Sequence, residues 1–300
     1  MLTLVPYVLA SQGTMLAGRA GVFNVSQEGI MLAGASVGFL GAYLSGGNLV
    51  QGLALAMATG ALFGLALAYF TTTLKMDQFV VGLALFFIGL AVSTLLYRLA
   101  VGVTLTPPLI PTLREIALPG LSRIPVVGEI VFRQNVLVYG VIVLSLALYL
   151  FLYRTGPGLA LRAVGEHPMA ADSLGVNVPV VRYVATVIGG MLIGLAGAYL
   201  PMVYTATFTD GIVRGRGWLS IALTFFGGWS PHLIFFGALF FAAVEVLAFR
   251  VQVTGIGVPY QVILMLPYLA TMAVMMPTFR RLQIPAFLGR NYDRERRMLL

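Results

Sequence analysis

Two groups of residues in this chain could carry chemistry. The first is ionisable and lies inside or beside apolar runs: Glu245 within Leu233–Ala248, Arg214 and Arg216 in GIVRGRGW (Gly211–Trp218), and Glu28 with Asn24, Ser26 and Gln27 just before an apolar run. An ionisable group in hydrocarbon is costly, so it marks function by default. Amides and carboxylates suit a ligand rich in hydroxyls and ring nitrogens. Arginines next to a short apolar run suit a broken helix whose positive N-terminus faces a polar ligand or water. Simpler readings stand beside these. Ser26 could cap a cytoplasmic helix end, Arg214 and Arg216 could anchor at the outer interface with Asp210, and Glu245 could pair with Arg98 or Arg250 or stay protonated. Trp218, Trp229 and the tyrosines first read as interfacial belt residues.

The second group is a polar island, Leu159 to Val178 (LALRAVGEHPMAADSLGVNV), between bilayer-length apolar runs. The TGPG of Thr155–Gly158 breaks the preceding run. Pro168 suits a first helical turn, where its missing N–H is no loss, and Gly175 is placed to end the helix. The expectation is a short amphipathic helix at a membrane surface, where a soluble partner docks.

Other chemistries are excluded by composition. The chain has no cysteine, which removes disulfides, thiolate metal sites and cysteine nucleophiles. Its two histidines, His167 and His232, lie in different segments. The lone lysine, Lys75, follows no glycine-rich loop, so any ATP hydrolysis would have to come from another polypeptide. No HExxH or Gly-x-Ser-x-Gly turn is present. No metal or catalytic residue is expected, and the chain reads as a non-enzyme.

The elements that position these residues follow from hydropathy. Of 300 residues, 59% are hydrophobic and 9% charged, whereas a soluble domain carries about a quarter charged residues. The mean hydropathy is +0.96. Spanning hydrocarbon takes roughly 20 apolar residues, and the expected spans are Leu2–Ala17, Gly29–Leu44, Leu49–Leu74, Phe79–Leu99, Val136–Tyr153, Val184–Tyr204, Trp218–Gly228, Leu233–Val253 and Pro259–Met276. The first is short and interrupted by Pro6, Ser11 and Gln12; the seventh cannot cross alone. The expected class is an all-α polytopic integral membrane protein with about 8–10 transmembrane helices, one of them broken or half-length. Residues 1–277 are expected to form one transmembrane domain, 100–135 an external loop with a short surface helix near Leu113, 155–182 a cytoplasmic loop, and 278–300 a basic cytoplasmic tail.

Arginine and lysine placement sets the orientation. Island and tail lie inside, Lys75–Gln78 inside, Ala100–Asn135 outside, and the N-terminus outside, with eleven basic residues inside against seven outside. The net charge of +8 is thereby explained without nucleic acid. Gly34 and Gly38, Gly60 and Gly64, and Gly190 and Gly194 repeat at helical spacing, which lets backbones approach closely. Met31–Leu44 and Val187–Leu200 share a glycine register that an internal repeat would produce.

Four segments carry a family resemblance: RAVGEHPMAADSLGVNV (Arg162–Val178), GVFNVSQEG (Gly21–Gly29), GRGWLSIA (Gly215–Ala222) and LMLPYL (Leu264–Leu269). In order and spacing the chain resembles the ABC importer permeases of the branched-chain amino acid, ribose and nucleoside class, closest to the nucleoside or simple-sugar branch. The short N-terminus departs from that pattern. The resemblance implies a multi-pass protein of a bacterial or archaeal plasma membrane that works by alternating access on a small-molecule substrate. The partners it implies are cytoplasmic ATP-binding subunits carrying ATP and Mg, a second and different permease subunit, and an extracytoplasmic substrate-binding lipoprotein. The chain itself would bind no cofactor. It implies that the coupling loop holds Arg162, Gly165, Glu166, His167, Pro168, Ala170, Asp172 and Gly175. Asn24, Gln27, Glu28, Arg214, Arg216, Trp218 and Glu245 are the candidates for the translocation pathway. The rival functions are branched-chain amino acid transport in the same family and an ion-coupled secondary transporter, which would need several intramembrane acids.

Overall fold

The computed structural model describes residues 2–102, 107–117, 133–253, 265, 269, 272 and 284–293. The expected span Pro259–Met276 and the LMLPYL segment lie almost wholly outside the described residues, as do Arg280, Arg281, Arg294, Arg296 and Arg297. Ten helices are described: α1 (Leu4–Arg19), α2 (Gln27–Leu44), α3 (Leu49–Ala68), α4 (Gln78–Val101), α5 (Val136–Arg154), α6 (Gly156–Glu166), α7 (Pro168–Ser173), α8 (Val178–Tyr199), α9 (Arg216–Phe226) and α10 (Pro231–Val253). Wider π turns prolong α3 through Tyr69–Thr73 and α8 through Leu200–Thr205. Among the described residues, sheet is confined to strands β1 (Glu115–Ala117) and β2 (Arg133–Asn135), paired antiparallel with Glu115 opposite Asn135. Among the described residues five helices are long and apolar enough to cross a membrane: Leu49–Thr73, Gln78–Val101, Val136–Arg154, Val178–Thr205 and Pro231–Gln252. The fold is an all-α polytopic membrane domain.

Helix α1 is the innermost element. All 16 of its residues are buried, so it meets protein on every side and its polar residues can find partners there. Ser11 Oγ donates to the Ser220 carbonyl at 3.0 Å, and Thr224 Oγ1 returns a bond to the Ser11 carbonyl at 3.0 Å. Gln12 Nε2 donates to Ser145 Oγ at 2.6 Å. Pro6 sits in the first turn, where backbone N–H groups have no helical partner. The residues that weaken Leu2–Ala17 as a lipid-facing span are therefore those that bind it into the bundle.

Small residues let α8 press against α1, α2 and α3. A methyl group at Gly34 would lie 2.8 Å from Gly194 Cα, and one at Gly60 would lie 2.8 Å from the Gly190 carbonyl carbon. Gly13 meets Gly189 in the same way. Lipid tails are as apolar as leucine, so backbone approach and close packing are what drive such contacts. Met31–Leu44 and Val187–Leu200 lie side by side, with Gly34 on Gly194 and Gly197 on Met31.

The chain connections gather at two ends. At one end are Ser45–Asn48, the β1–β2 hairpin and the segment after α8. There Leu113 N donates to the Met202 carbonyl at 3.0 Å and Ile110 N to the Ala206 carbonyl at 2.8 Å. Leu113 thus lies outside any helix and leads into β1, not into the surface helix expected there; Pro107, Pro108 and Pro111 disfavour helical backbone in the residues that precede them. At the other end lie the island, Lys75–Gln78, the α1–α2 corner and Ile284–Asp293. The last segment is tied down on several sides. Asn291 Nδ2 donates to the carbonyls of Lys75 (2.6 Å) and Met76 (2.9 Å). Lys75 Nζ pairs with Asp293 at 2.8 Å, and Arg182 donates to the Arg290 carbonyl at 3.1 Å.

A half-length helix held at mid-depth

Residues 21–26 do not lie along a surface. They climb beside the first turns of α4: Phe23 N donates to Gln78 Oε1 at 2.6 Å, Gly82 faces Val25, and Gly89 faces Gly29. Eleven residues of helix separate Gln78 from Gly89, a rise on the order of 16 Å, so Glu28 lies near half-way along α4. Ser26 makes no side-chain cap bond. Its hydroxyl and its N–H both donate to Asn24 Oδ1, at 2.6 Å and 2.9 Å. The Asn24–Glu28 cluster is therefore not the surface cap that Ser26 could have formed; it is carried into the core of the domain.

From the opposite end the segment 206–215 descends beside the other half of α4. Phe208 packs on Tyr97 with ring centroids 5.0 Å apart. Asp210 pairs with Arg98 at 3.5 Å and accepts from Thr94 Oγ1 at 3.2 Å. Asp210 is thus taken by Arg98 and does not anchor Arg214 or Arg216. Tight turns follow, and Gly215, with φ of +80°, starts α9. Helix α9 has 11 residues, about 16 Å of rise, half a bilayer.

The two re-entrant segments meet at the α9 N-terminus. Glu28 Oε1 accepts from Gly215 N at 2.8 Å and Glu28 Oε2 from Gly217 N at 2.7 Å. Gln27 accepts from the Ser220 hydroxyl one turn along. Arg216 turns the other way, its Nη2 2.9 Å from Glu245 Oε1, while Tyr7 OH donates to Glu245 Oε2 at 3.0 Å. Arg216 and Glu245 side chains are only 15% and 12% exposed. The partner of Glu245 is therefore Arg216, not Arg98 or Arg250, since α9 turns back to the depth of Glu245. Arg214 is exposed, with φ of +51°, and makes no side-chain bond among the described residues. Trp218 is 41% exposed, its ring edge-on to Phe86 at 5.5 Å. Asn24, Gln27 and Glu28 thus hold one side of the α9 N-terminus and the Arg216–Glu245 pair the other, and Arg214 and Trp218 stand on its open side. Among the described residues no three histidine, aspartate or glutamate side chains converge as metal ligands.

The island is built from two helices. Thr155 ends α5 in an extended conformation and caps α6, its Oγ1 accepting from Gly158 N at 3.2 Å. Helix α6 was legible in the sequence as Thr155 followed by Pro157 and a buried stripe at Gly158, Leu161, Val164 and Gly165; the island reading missed it. His167 is the pivot, Pro168 opens α7, and Gly175, at φ of +86°, follows its end. Arg162 lies 4.8 Å over the Tyr153 ring. The Gly165 carbonyl accepts from Phe287 N at 2.9 Å, and Glu166 Oε2 accepts from Ala286 N at 3.1 Å. Pro168 and Ala171 face inward and Asp172 is half-buried. His167, Met169, Ala170, Ser173 and Leu174 face outward, Leu174 with 85% of its surface exposed.

A polytopic helical domain with a half-length helix starting at mid-depth and a two-helix island at one end has the architecture of a transport subunit. Residues 1–275 match the branched-chain amino acid transport system permease component family, and the chain belongs to it. It is 32% identical to the guanosine ABC transporter permease protein NupQ of Bacillus subtilis, covering 97% of this chain and 94% of that one. It is 31% identical to the nucleoside ABC transporter permease protein NupC of Lactococcus lactis, over 96% and 93%. It is also 31% identical to TsgC13 of Haloferax volcanii, provisionally named as a glucose ABC transporter permease, over 96% and 94%. No solved structure matches the chain. The protein is the membrane-spanning permease subunit of an ATP-binding-cassette importer, a multi-pass protein of the plasma membrane.

Proposed function

We propose that the protein carries nucleosides, or sugars of similar chemistry, through a path that passes Arg214 and Trp218. The observation that carries this reading is the open side of the α9 N-terminus. A guanidinium exposed at mid-depth cannot face lipid without a penalty of about 2.5–3.5 kcal/mol or more, so this face borders water or another subunit. Trp218 offers a ring to a nucleobase or sugar face, and Arg214 offers donors to hydroxyls and ring nitrogens. The guanosine and nucleoside permeases among its relatives support the same substrate class. The family description keeps branched-chain amino acids as the second reading.

In this reading a second, different permease subunit completes the path, a substrate-binding lipoprotein delivers cargo, and two cytoplasmic subunits bind ATP and Mg and do the hydrolysis. The outward face of α7, with Met169, Ala170 and Leu174, seats on the ATP-binding subunit. The full importer in proteoliposomes tests both halves. ATP-dependent uptake of labelled guanosine is expected, and uptake of leucine without guanosine would overturn the substrate class. Two residues inserted after Met169 should release the ATP-binding subunits; their full retention with full uptake would overturn the docking site.

A further inference from the structure

Helix α9 is gripped at both ends by side chains of one short stretch of chain. Glu28 takes its N-terminal N–H groups. Arg19 takes its other end: Nε donates to the Trp229 carbonyl at 2.8 Å and Nη2 to the Gly228 carbonyl at 3.2 Å, in the turn that closes α9. The signs match the helix dipole, acid at the N-terminus and base at the C-terminus. Arg19 is 7% exposed and touches the island as well. Its Nη1 lies 3.9 Å from Glu166 Oε1, and its backbone packs so closely on Gly165 that a methyl group there would lie 2.9 Å from the Arg19 carbonyl carbon. On the far side Glu166 and Gly165 are held by Ala286 N and Phe287 N, and Gly289 N reaches the Gly21 carbonyl at 3.2 Å. The segment Ile284–Asp293 thus straps the island onto the α1–α2 corner.

We propose that Arg19 is the positioning residue that passes movement of the island to α9, and through it to Arg214 and Trp218. The guanidinium fork joins the island carboxylate to the two carbonyls closing α9, a geometry lysine cannot reproduce because it offers a point charge in place of a planar fork. An island displaced by its ATP-binding partner drags Arg19, and a helix of three turns held rigidly at that end moves as a body. The inference rests on the docking role proposed for α7.

The test uses the full importer and the absence of cysteine. Spin labels at Leu44 and Ile221 report α9, and labels at Leu44 and Ser173 report the island. In the otherwise unaltered importer both distances shift when ATP binds. In Arg19→Ala the island distance still shifts, the α9 distance does not, and uptake per ATP falls about tenfold, within the range for loss of coupling between two sites. Arg19→Lys is expected to lie between the two. Should Arg19→Ala fail to assemble, Arg19→Lys is read by the same pair of distances. An α9 shift and uptake per ATP at the unaltered values in the variant overturn the role of Arg19. A missing island shift in the unaltered importer instead overturns the docking reading.

Discussion

Glu28 and Gly217 bind two parts of the chain 189 residues apart, the carboxylate Oε2 lying 2.7 Å from the Gly217 N–H. With the matching bond to Gly215, one side chain satisfies two of the donors that a helix leaves open at its start. Glu28→Ala leaves both donors buried and unpaired, at about 1–3 kcal/mol each. Its thermal midpoint in detergent is expected to fall clearly. Glu28→Gln keeps one acceptor oxygen and turns an amide N–H₂ toward the other donor, so it should fall between. Equal midpoints for all three proteins would show that α9 does not depend on this cap.

Arg216 and Glu245 are a buried pair, and the cost of separating them is asymmetric. Glu245→Ala strands the Arg216 guanidinium and is expected to destabilise by about 3–5 kcal/mol. Tyr7 also loses its bond to Glu245 Oε2 in that variant. Replacing both charges together, as Arg216→Met/Glu245→Leu, should recover much of the stability and not the transport. Chemical denaturation with a fluorescence readout measures the first expectation, and uptake by the full importer the second. A double variant less stable than Glu245→Ala would show the pair to be net stabilising.

How far the sequence revealed these contacts depends on where each partner lies. The island helix α7 was legible because Pro168 and Gly175 are local signals, bounded within eight residues. Broken helix α9 was legible from its length and from the glycines around Arg214 and Arg216. The partners were not. Glu245 finds Arg216 only because the segment after α8 turns back into the membrane, and Glu28 finds Gly215 and Gly217 only because residues 21–26 do the same from the other end. A hydropathy profile treats a polar stretch before a span as surface, and a re-entrant segment breaks that rule when protein surrounds it. Leu2–Ala17 looked weak for the same reason. Its Ser11 and Gln12 are unfavourable toward lipid and favourable toward Ser220 and Ser145.

Two glycine-to-alanine changes separate packing from helix propensity. In a helix, alanine is favoured over glycine by about 0.8–1.0 kcal/mol, and at Gly140 in α5 nothing lies within 4 Å of the added methyl. Gly140→Ala is expected to gain up to about that amount. At Gly34 the methyl would meet the backbone of Gly194, 2.8 Å from its Cα, and backbone cannot swing aside. Overpacking of about 1–3 kcal/mol should outweigh the propensity gain, so Gly34→Ala is expected to lose stability. Opposite signs in one thermal-shift experiment are the predicted outcome; a gain at both sites would mean that α2 and α8 can part at little cost.

The side of the membrane on which each end lies follows from charge. Among the described residues the island end gathers Arg19, Lys75, Arg154, Arg162, Arg182 and Arg290, whereas the hairpin end has Arg98, Arg114, Arg133 and Arg250. Charge near span ends sets orientation, with the basic side cytoplasmic. Thr112 and Ser173 are both exposed and lie at opposite ends of the domain. Because the chain has no cysteine, Thr112→Cys and Ser173→Cys each create a single reactive thiol. An impermeant thiol reagent added to intact cells should label the first, and should reach the second only after permeabilisation. Labelling of Ser173→Cys without Thr112→Cys in intact cells would invert the orientation. It would put α7 on the side away from any cytoplasmic ATP-binding subunit, so the docking proposal would fall with it.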